Sequence, residues 1–142
     1  YMPMIAATGG NTGSQSASLI IRALALGEIG YRDFFKVLFK EFKTAITMGF
    51  FLGLMVILVV MTRNLILPSN SPSQFPMNQI ILCVAIAIFV QVITSSIMGS
   101  ALPLLAKRLK IDPAVMSSPV LASAVDITGL LIYFNIALII LK

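Results

Sequence analysis

Histidine is absent from this sequence and cysteine occurs once. Without imidazole there is no histidine proton shuttle, no histidine metal site and no Ser-His triad. The single thiol, Cys83, forms no disulfide within the chain. Its apolar neighbours over 80–90 make it a small core or lipid-facing residue. Charge is scarce as well. Asp, Glu, Lys and Arg make up 11% of the 142 residues, where a soluble domain carries roughly 25%. A water-facing shell of the usual kind cannot be built from that supply. Apolar residues reach 58% and the mean hydropathy is +1.02, so the chain reads as a membrane protein.

Ten basic residues against five acidic ones leave a net charge of +5, a balance that can mark nucleic-acid binders. Position argues otherwise. Arg22, Arg32, Lys36, Lys40 and Lys43 fall in one connection, and Lys107, Arg108 and Lys110 in another. They flank hydrophobic runs and form no groove-sized patch with interleaved aromatics. Juxtamembrane cations facing anionic lipid gain about 1 kcal/mol each. The expected partner is therefore the lipid bilayer, not nucleic acid.

About 20 apolar residues cross the hydrocarbon layer. The run 45–63 does so between the anchors Lys43 and Arg63, and 77–106 is uncharged throughout, with Pro103 as a kink or end signal. The run 113–141 is apolar except for one aspartate, with Pro113 suited to the first helical turn and Asp112 to the N-cap. A fourth stretch, 2–26, carries Gly9, Gly10, Asn11, Thr12, Gly13, Ser14, Gln15 and Ser16 ahead of a good helical segment. A polar, glycine-rich interruption at membrane depth is tolerated where it is buried in protein or lines a water-filled cavity. This span is expected to face a partner or a pore. Residues 32–43 alternate aromatic and charged side chains, which predicts a short amphipathic helix lying in the interface. Residues 64–76, rich in Pro, Ser and Asn, predict an exposed loop. The expected fold is all-α: a polytopic membrane helix bundle forming one pore domain over 1–142.

Lysine and arginine concentrate in 27–44 and 107–112, which places those connections in the cytoplasm, with the loop 64–76 and the C-terminus outside. Tyr1 is not an initiator methionine and no signal segment is visible, so the chain is expected to be part of a longer protein whose N-terminal portion is absent here.

Asp126 is the residue that stands out. It lies fourteen residues into the run 113–141, roughly 21 Å along a helix and near the bilayer middle. An aspartate there costs about 2.5–3.5 kcal/mol on insertion scales, and none of the four runs supplies a basic partner at that depth. A cation or a water-filled pore would compensate it. A structural aspartate held by hydroxyls or backbone N–H groups is the plainer alternative. Ser118, Ala122 and Asp126 follow at i, i+4 and i+8 on one side of the helix, although small residues also let membrane helices pack closely. On 2–26, Asn11, Gln15 and Ser18 share a face with Ser14 beside it. Their neutral oxygens suit hydrated Mg²⁺ or Ca²⁺ and equally suit interhelical hydrogen bonds. Gln91, Thr94, Ser95 and Ser96 form a polar band that reads as bundle glue. The methionines are scattered and read as packing rather than as soft-metal ligands.

The segment Gly9-Gly10-Asn11-Thr12-Gly13-Ser14-Gln15 after Pro3, with Asp112-Pro113-Ala114 and Val125-Asp126-Ile127-Thr128-Gly129-Leu130-Leu131-Ile132-Tyr133-Phe134, resembles the transmembrane domain of the MgtE magnesium channels. The resemblance covers the whole chain and aligns its four runs with the second to fifth helices of a five-helix pore domain. It implies a homodimer with the ion path between protomers. There Asp126 of each copy would face a largely hydrated Mg²⁺, Asn11 would lie near the same path, and Ala122 would offer its carbonyl. From the faces they share with those residues, Ser118, Gln15, Ser14 and Ser18 are expected to line the pore. That family also carries cytoplasmic regulatory domains, to which none of these residues corresponds. The expected function is Mg²⁺-selective transport rather than catalysis, with Mg²⁺ as the transported ion. A broader divalent carrier taking Co²⁺ or Mn²⁺, or an exchanger, stands as the alternative. An intramembrane aspartyl enzyme and a purely structural bundle are more remote.

Overall fold

The computed structural model describes residues 1–66, 75–115 and 119–141, and of Tyr31 the backbone alone. It is all-helical. Helix α1 spans Met2–Ala25, a 3₁₀ turn follows at Tyr31–Asp33, and α2 covers Phe34–Ile66, α3 Met77–Arg108 and α4 Pro119–Ile140.

Helix α3 is the centre of the bundle. Helices α1, α2 and α4 all pack on it, and α1 also packs along α4. The buried clusters give the directions. Ile5 at the start of α1 meets Val56 and Val60 late in α2, and Val84, Ala87, Ile88 and Val92 early in α3. Ile20 and Leu24 at the end of α1 meet Val37 early in α2 and Leu104 late in α3. Ala17 packs on Leu121 and Val125, early in α4. Consecutive helices therefore alternate in direction, as a polytopic chain with short connections requires. Between α1 and α3 the backbones nearly touch: a Cβ placed on Gly99 would overlap the Gly13 carbonyl oxygen. Small residues at a crossing let membrane helices gain van der Waals contact.

By length and apolar content α2, α3 and α4 suffice to cross a membrane. With 24 residues, α1 is about 36 Å long at 1.5 Å per residue, but its run of Gly, Asn, Ser and Gln makes it less apolar. That run does not interrupt the helix. Thr12 donates back to the Thr8 carbonyl at 2.8 Å and Ser18 to that of Ser14 at 2.8 Å, which keeps the hydroxyls within α1. Gly9 and Gly13 there serve close packing rather than an opened backbone.

The structure departs from the expectations at two boundaries. The interfacial helix expected at 32–43 and the span expected at 45–63 are one 33-residue helix, about 50 Å long. No Pro or Gly separates Lys43 from Ala45, so a change of composition there does not break the backbone ladder. Its first turns do not simply lie on lipid either, since Val37 and Phe34 pack inward on Ile20, Leu24 and Leu104. At the other boundary, Asp112 does not cap α4. Its Oδ1 accepts from the Ala114 N–H at 2.9 Å in a turn, Pro113 belongs to that turn, and the helix begins at Pro119. Pro103, offered as a kink or end, sits inside α3, which runs on to Arg108. There the chain turns at Lys110, in the left-handed region at φ 59°, and Ile111 N–H reaches back to the Ala106 carbonyl at 2.9 Å. Most of the expected loop 64–76 falls outside the described residues.

Candidate functional site

Helix α4 buries a single narrow stripe, Leu121, Val125 and Gly129, against its neighbours. Each of Ala122 and Asp126 follows a member of that stripe by one residue, a rotation of 100° on a helix, and both are exposed. Asp126 stands seven residues after Pro119, about 10 Å along α4. That is a third of the way up the helix rather than near its middle, because α4 starts later than the sequence suggested. Among the described residues the Asp126 carboxylate has no hydrogen-bond or ion-pair partner. Its surroundings on that face are mostly apolar, with Ile127 59% exposed and Leu131 58%, and the exposed Ser123 one turn earlier. Ser118, which would extend the stripe of Ala122 and Asp126, lies outside the described residues.

On α1 the expected face is present. Asn11, Ser14, Gln15 and Ser18, with Leu19, line an open depression of about 490 Å³. Thr12, Gly13, Ser16 and Ala17 on the other side are buried. The lining comes from α1 alone, so a single copy does not bring Asn11 and Asp126 to one pocket. The two sets are outward faces of two helices that pack together, with Gly13 and Ala17 against Leu121 and Val125 between them. Among the described residues no three Asp, Glu, His or Cys side chains converge as a metal cage would require. What these faces offer is one carboxylate, amide and hydroxyl oxygens, and backbone carbonyls. Such a set suits an ion that keeps most of its water, as Mg²⁺ does.

One polar centre was missed by the sequence reading, which left Glu41 in a connection. Glu41 is half-buried on α2, and its Oε2 accepts from Ser16 Oγ of α1 at 2.8 Å and from Ser96 Oγ of α3 at 2.9 Å. The two serine oxygens are themselves 3.0 Å apart. Glu41 thus joins three helices, and it also borders a cavity of about 420 Å³ with Glu28, Asp33, Lys36 and Lys40 among its lining. A signal for it exists. Val37, Ala45, Gly49 and Gly53 are buried on α2, and Glu41 completes their i+4 register. The stripe becomes visible only if 34–66 is read as one helix.

The divalent cation transporter family MgtE matches residues 2–136 of the chain. The chain belongs to the MgtE family. Its relatives include the magnesium transporter MgtE of Thermus thermophilus, 35% identical over 142 residues, all of this chain and 29% of that protein. The magnesium transporter MgtE of Bacillus subtilis is 33% identical over 137 residues, 96% of this chain and 28% of that protein. That of Enterococcus faecalis is 31% identical over 137 residues. This MgtE-family chain spans less than a third of the length of those relatives. With α2, α3 and α4 long and apolar enough to cross a bilayer, it is an integral membrane protein.

Proposed function

We propose that this chain is the pore-bearing membrane domain of a Mg²⁺ transporter, with the ion path between two copies of the chain. The observation that carries the reading is Asp126: a carboxylate with no partner among the described residues, on the exposed and largely apolar face of a helix that buries only a narrow stripe in its own bundle. In lipid that arrangement is costly. Against a second copy, two such carboxylates would flank a path wide enough for a hydrated divalent ion, with the Ala122 carbonyl one turn away. Asn11, Ser14, Gln15 and Ser18 on the neighbouring α1, and Ser118, would line the approach.

The chemistry is consistent with conduction. Mg²⁺ surrenders its water reluctantly, so carboxylates acting through that water attract the ion without a dehydration penalty. Binding through water is also weak enough to release the ion, as a pore needs. All four helices cross the membrane in this reading, as the second to fifth of five. Residues 27–44 and 107–112 face the cytoplasm, and 64–76 and the C-terminus face outside, in the plasma membrane of a bacterium. The names of the three relatives support magnesium as the cargo.

Mg²⁺ uptake into liposomes holding the purified full-length protein tests the reading. Asp126→Asn is expected to lose most of the flux while retaining its melting temperature. Unchanged flux from a folded Asp126→Asn protein would sink it. Equal loss for Mg²⁺, Co²⁺ and Mn²⁺ together with equal wild-type rates would favour a broader divalent carrier.

A further inference from the structure

Gln91 is wholly buried, at 0% exposure, in the middle of α3. Its Nε2 donates to the Val125 carbonyl of α4 at 3.0 Å. The acceptor is a carbonyl, so only the amide nitrogen can stand there, which fixes which way the side chain points. Val125 is the residue immediately before Asp126.

Room for this long side chain is cut from both neighbouring helices. A Cβ on Gly9 of α1 would collide with Gln91 Nε2, and one on Gly129 of α4 would stand 2.9 Å from Nε2 and 3.2 Å from Cδ. Gln91 therefore passes between α1 and α4, held on either side by backbone. Its Oε1 has no hydrogen-bond partner among the described residues. A leucine would fill a similar volume without desolvating an amide, so packing alone does not call for glutamine here.

What glutamine adds is direction. Besides this bond α4 is held in the bundle mainly by packing, Leu121 and Val125 in one cluster and Tyr133 and Ile136 against another, and such contacts tolerate sliding and rotation. A hydrogen bond does not tolerate them, because it weakens steeply as its angle and length depart from the optimum. The Thr128 hydroxyl, 3.0 Å from the same carbonyl, belongs to α4 itself, and its reach to α3 is to the Met98 sulfur at 3.8 Å, a weak acceptor that orients poorly.

We propose that Gln91 is a positioning residue of the pore: it fixes the rotation and height of α4, and so where the Asp126 carboxylate and the Ala122 carbonyl stand on the ion path. The inference rests on the reading of Asp126 as an ion-facing group, and the experiment separates the two.

Full-length protein is reconstituted in liposomes and Mg²⁺ uptake is measured against Mg²⁺ concentration at pH 8 and pH 6, with melting in detergent as the control for folding. Gln91→Leu is expected to need about tenfold more Mg²⁺ for half-maximal uptake, since a displaced group loses its interaction in the rate-determining complex. Ser95→Ala, one turn along α3 and with a hydroxyl that bonds no described residue, is expected to match the wild type. Gln91→Glu supplies a readout that a merely structural role would not move. Protonated, its carboxyl can donate to the Val125 carbonyl; ionised, it cannot. Its half-saturation relative to wild type should approach unity at pH 6, where a carboxyl buried there is protonated, while the Gln91→Leu ratio stays about tenfold at either pH; any loss that Gln91→Glu gains at pH 8 follows its ionisation. The other ionisable side chains on the helices packed here are Arg22 on α1, Glu41 and the lysines and Arg63 on α2, Cys83, Lys107 and Arg108 on α3, and Asp126 and Tyr133 on α4. All are shared with the wild type and cancel in the ratio.

A wild-type half-saturation in folded Gln91→Leu overturns the proposal. So does a Gln91→Glu half-saturation far from the wild type at pH 6, where a carboxyl buried there is protonated and can still donate to the Val125 carbonyl, which also decides the matter if Gln91→Leu fails to fold. If Asp126→Asn transports normally in the same assay, the pore reading itself falls and the positioning role with it. If Asp126→Asn is dead and Gln91→Leu is normal, only the positioning role falls.

Discussion

Removing the Glu41 carboxylate should loosen the bundle by a measurable amount. Its Oε2 takes two hydroxyl donors, Ser16 at 2.8 Å and Ser96 at 2.9 Å, from helices that α2 must hold. A hydrogen bond to a charged acceptor contributes about 1.5–3 kcal/mol in soluble proteins, whereas interhelical bonds in membrane proteins average about 0.6 kcal/mol. Glu41 is only half-buried, which moves the value toward the lower scale. Two bonds then give about 1–2 kcal/mol for Glu41→Ala. Glu41→Gln keeps an acceptor oxygen and should retain about half of that. The serines do not lose everything, because they remain 3.0 Å from each other.

The assay is reversible unfolding of the purified protein in detergent, run as a double-mutant cycle with Ser96→Ala. If the carboxylate and the serine interact as described, the double variant should be more stable than the sum of the single losses implies, by about 0.5–1 kcal/mol. A coupling within about 0.3 kcal/mol of zero would refute the three-helix contact, since independent sites add to that precision. Equal losses for Glu41→Ala and Glu41→Gln would show instead that the charge of the carboxylate carries the contact, since glutamine keeps both the packing and an acceptor oxygen.

At the crossing of α1 and α3, Gly99→Ala should destabilise by about 1–3 kcal/mol because its Cβ meets the Gly13 carbonyl. By contrast Gly10→Ala, which meets nothing within 4 Å, should be neutral or gain up to about 1 kcal/mol from helix propensity. Thermal melting of the two variants side by side checks both. Asn11→Ala should lower Mg²⁺ uptake without changing the melting temperature, because Asn11 is exposed on the open face of α1; a folded variant with wild-type uptake would remove Asn11 from the path.

The alternating helices were legible because long apolar runs and their basic flanks are strong signals. What the sequence hid was continuity. Lys36, Lys40, Glu41 and Lys43 make 32–43 look like surface and 45–63 look like span, yet helix continuity depends on backbone hydrogen bonds that no residue there interrupts. Reading two helices removed Glu41 from the stripe Val37, Ala45, Gly49, Gly53, and with it the contact to Ser16 and Ser96. The start of α4 was ambiguous for a different reason. Pro113 and Pro119 are both suited to a first helical turn, and Asp112 can cap either a helix or a turn. Asp126 moved from mid-helix to the first third as a result. The bundle-glue reading of Gln91 had the right kind of interaction. What it lacked was the partner, because a glutamine between two glycines on other helices leaves no periodic trace.

The exposed face of α4 links ion, charge and assembly. Ile127, Leu131, Phe134, Leu138 and Ile139 are all more than half exposed there, which lipid accommodates, but a carboxylate among them is not at ease in lipid. A twofold-related copy would cover it with an identical patch and bring the second Asp126 near the first. Two carboxylates so placed repel unless a cation stands between them. On the proposed pore, Mg²⁺ should therefore stabilise the dimer, by about 2.7 kcal/mol at a hundred times its dissociation constant if only the dimer binds it. Dimer fraction can be read by energy transfer between labelled copies diluted in liposomes, across a Mg²⁺ series. Asp126→Asn removes both the repulsion and the ion's attraction, so its dimer should form without Mg²⁺ and respond little to it. A wild-type dimer indifferent to Mg²⁺, or an Asp126→Asn protein with the same Mg²⁺ response as the wild type, would break that link between the carboxylate and the assembly.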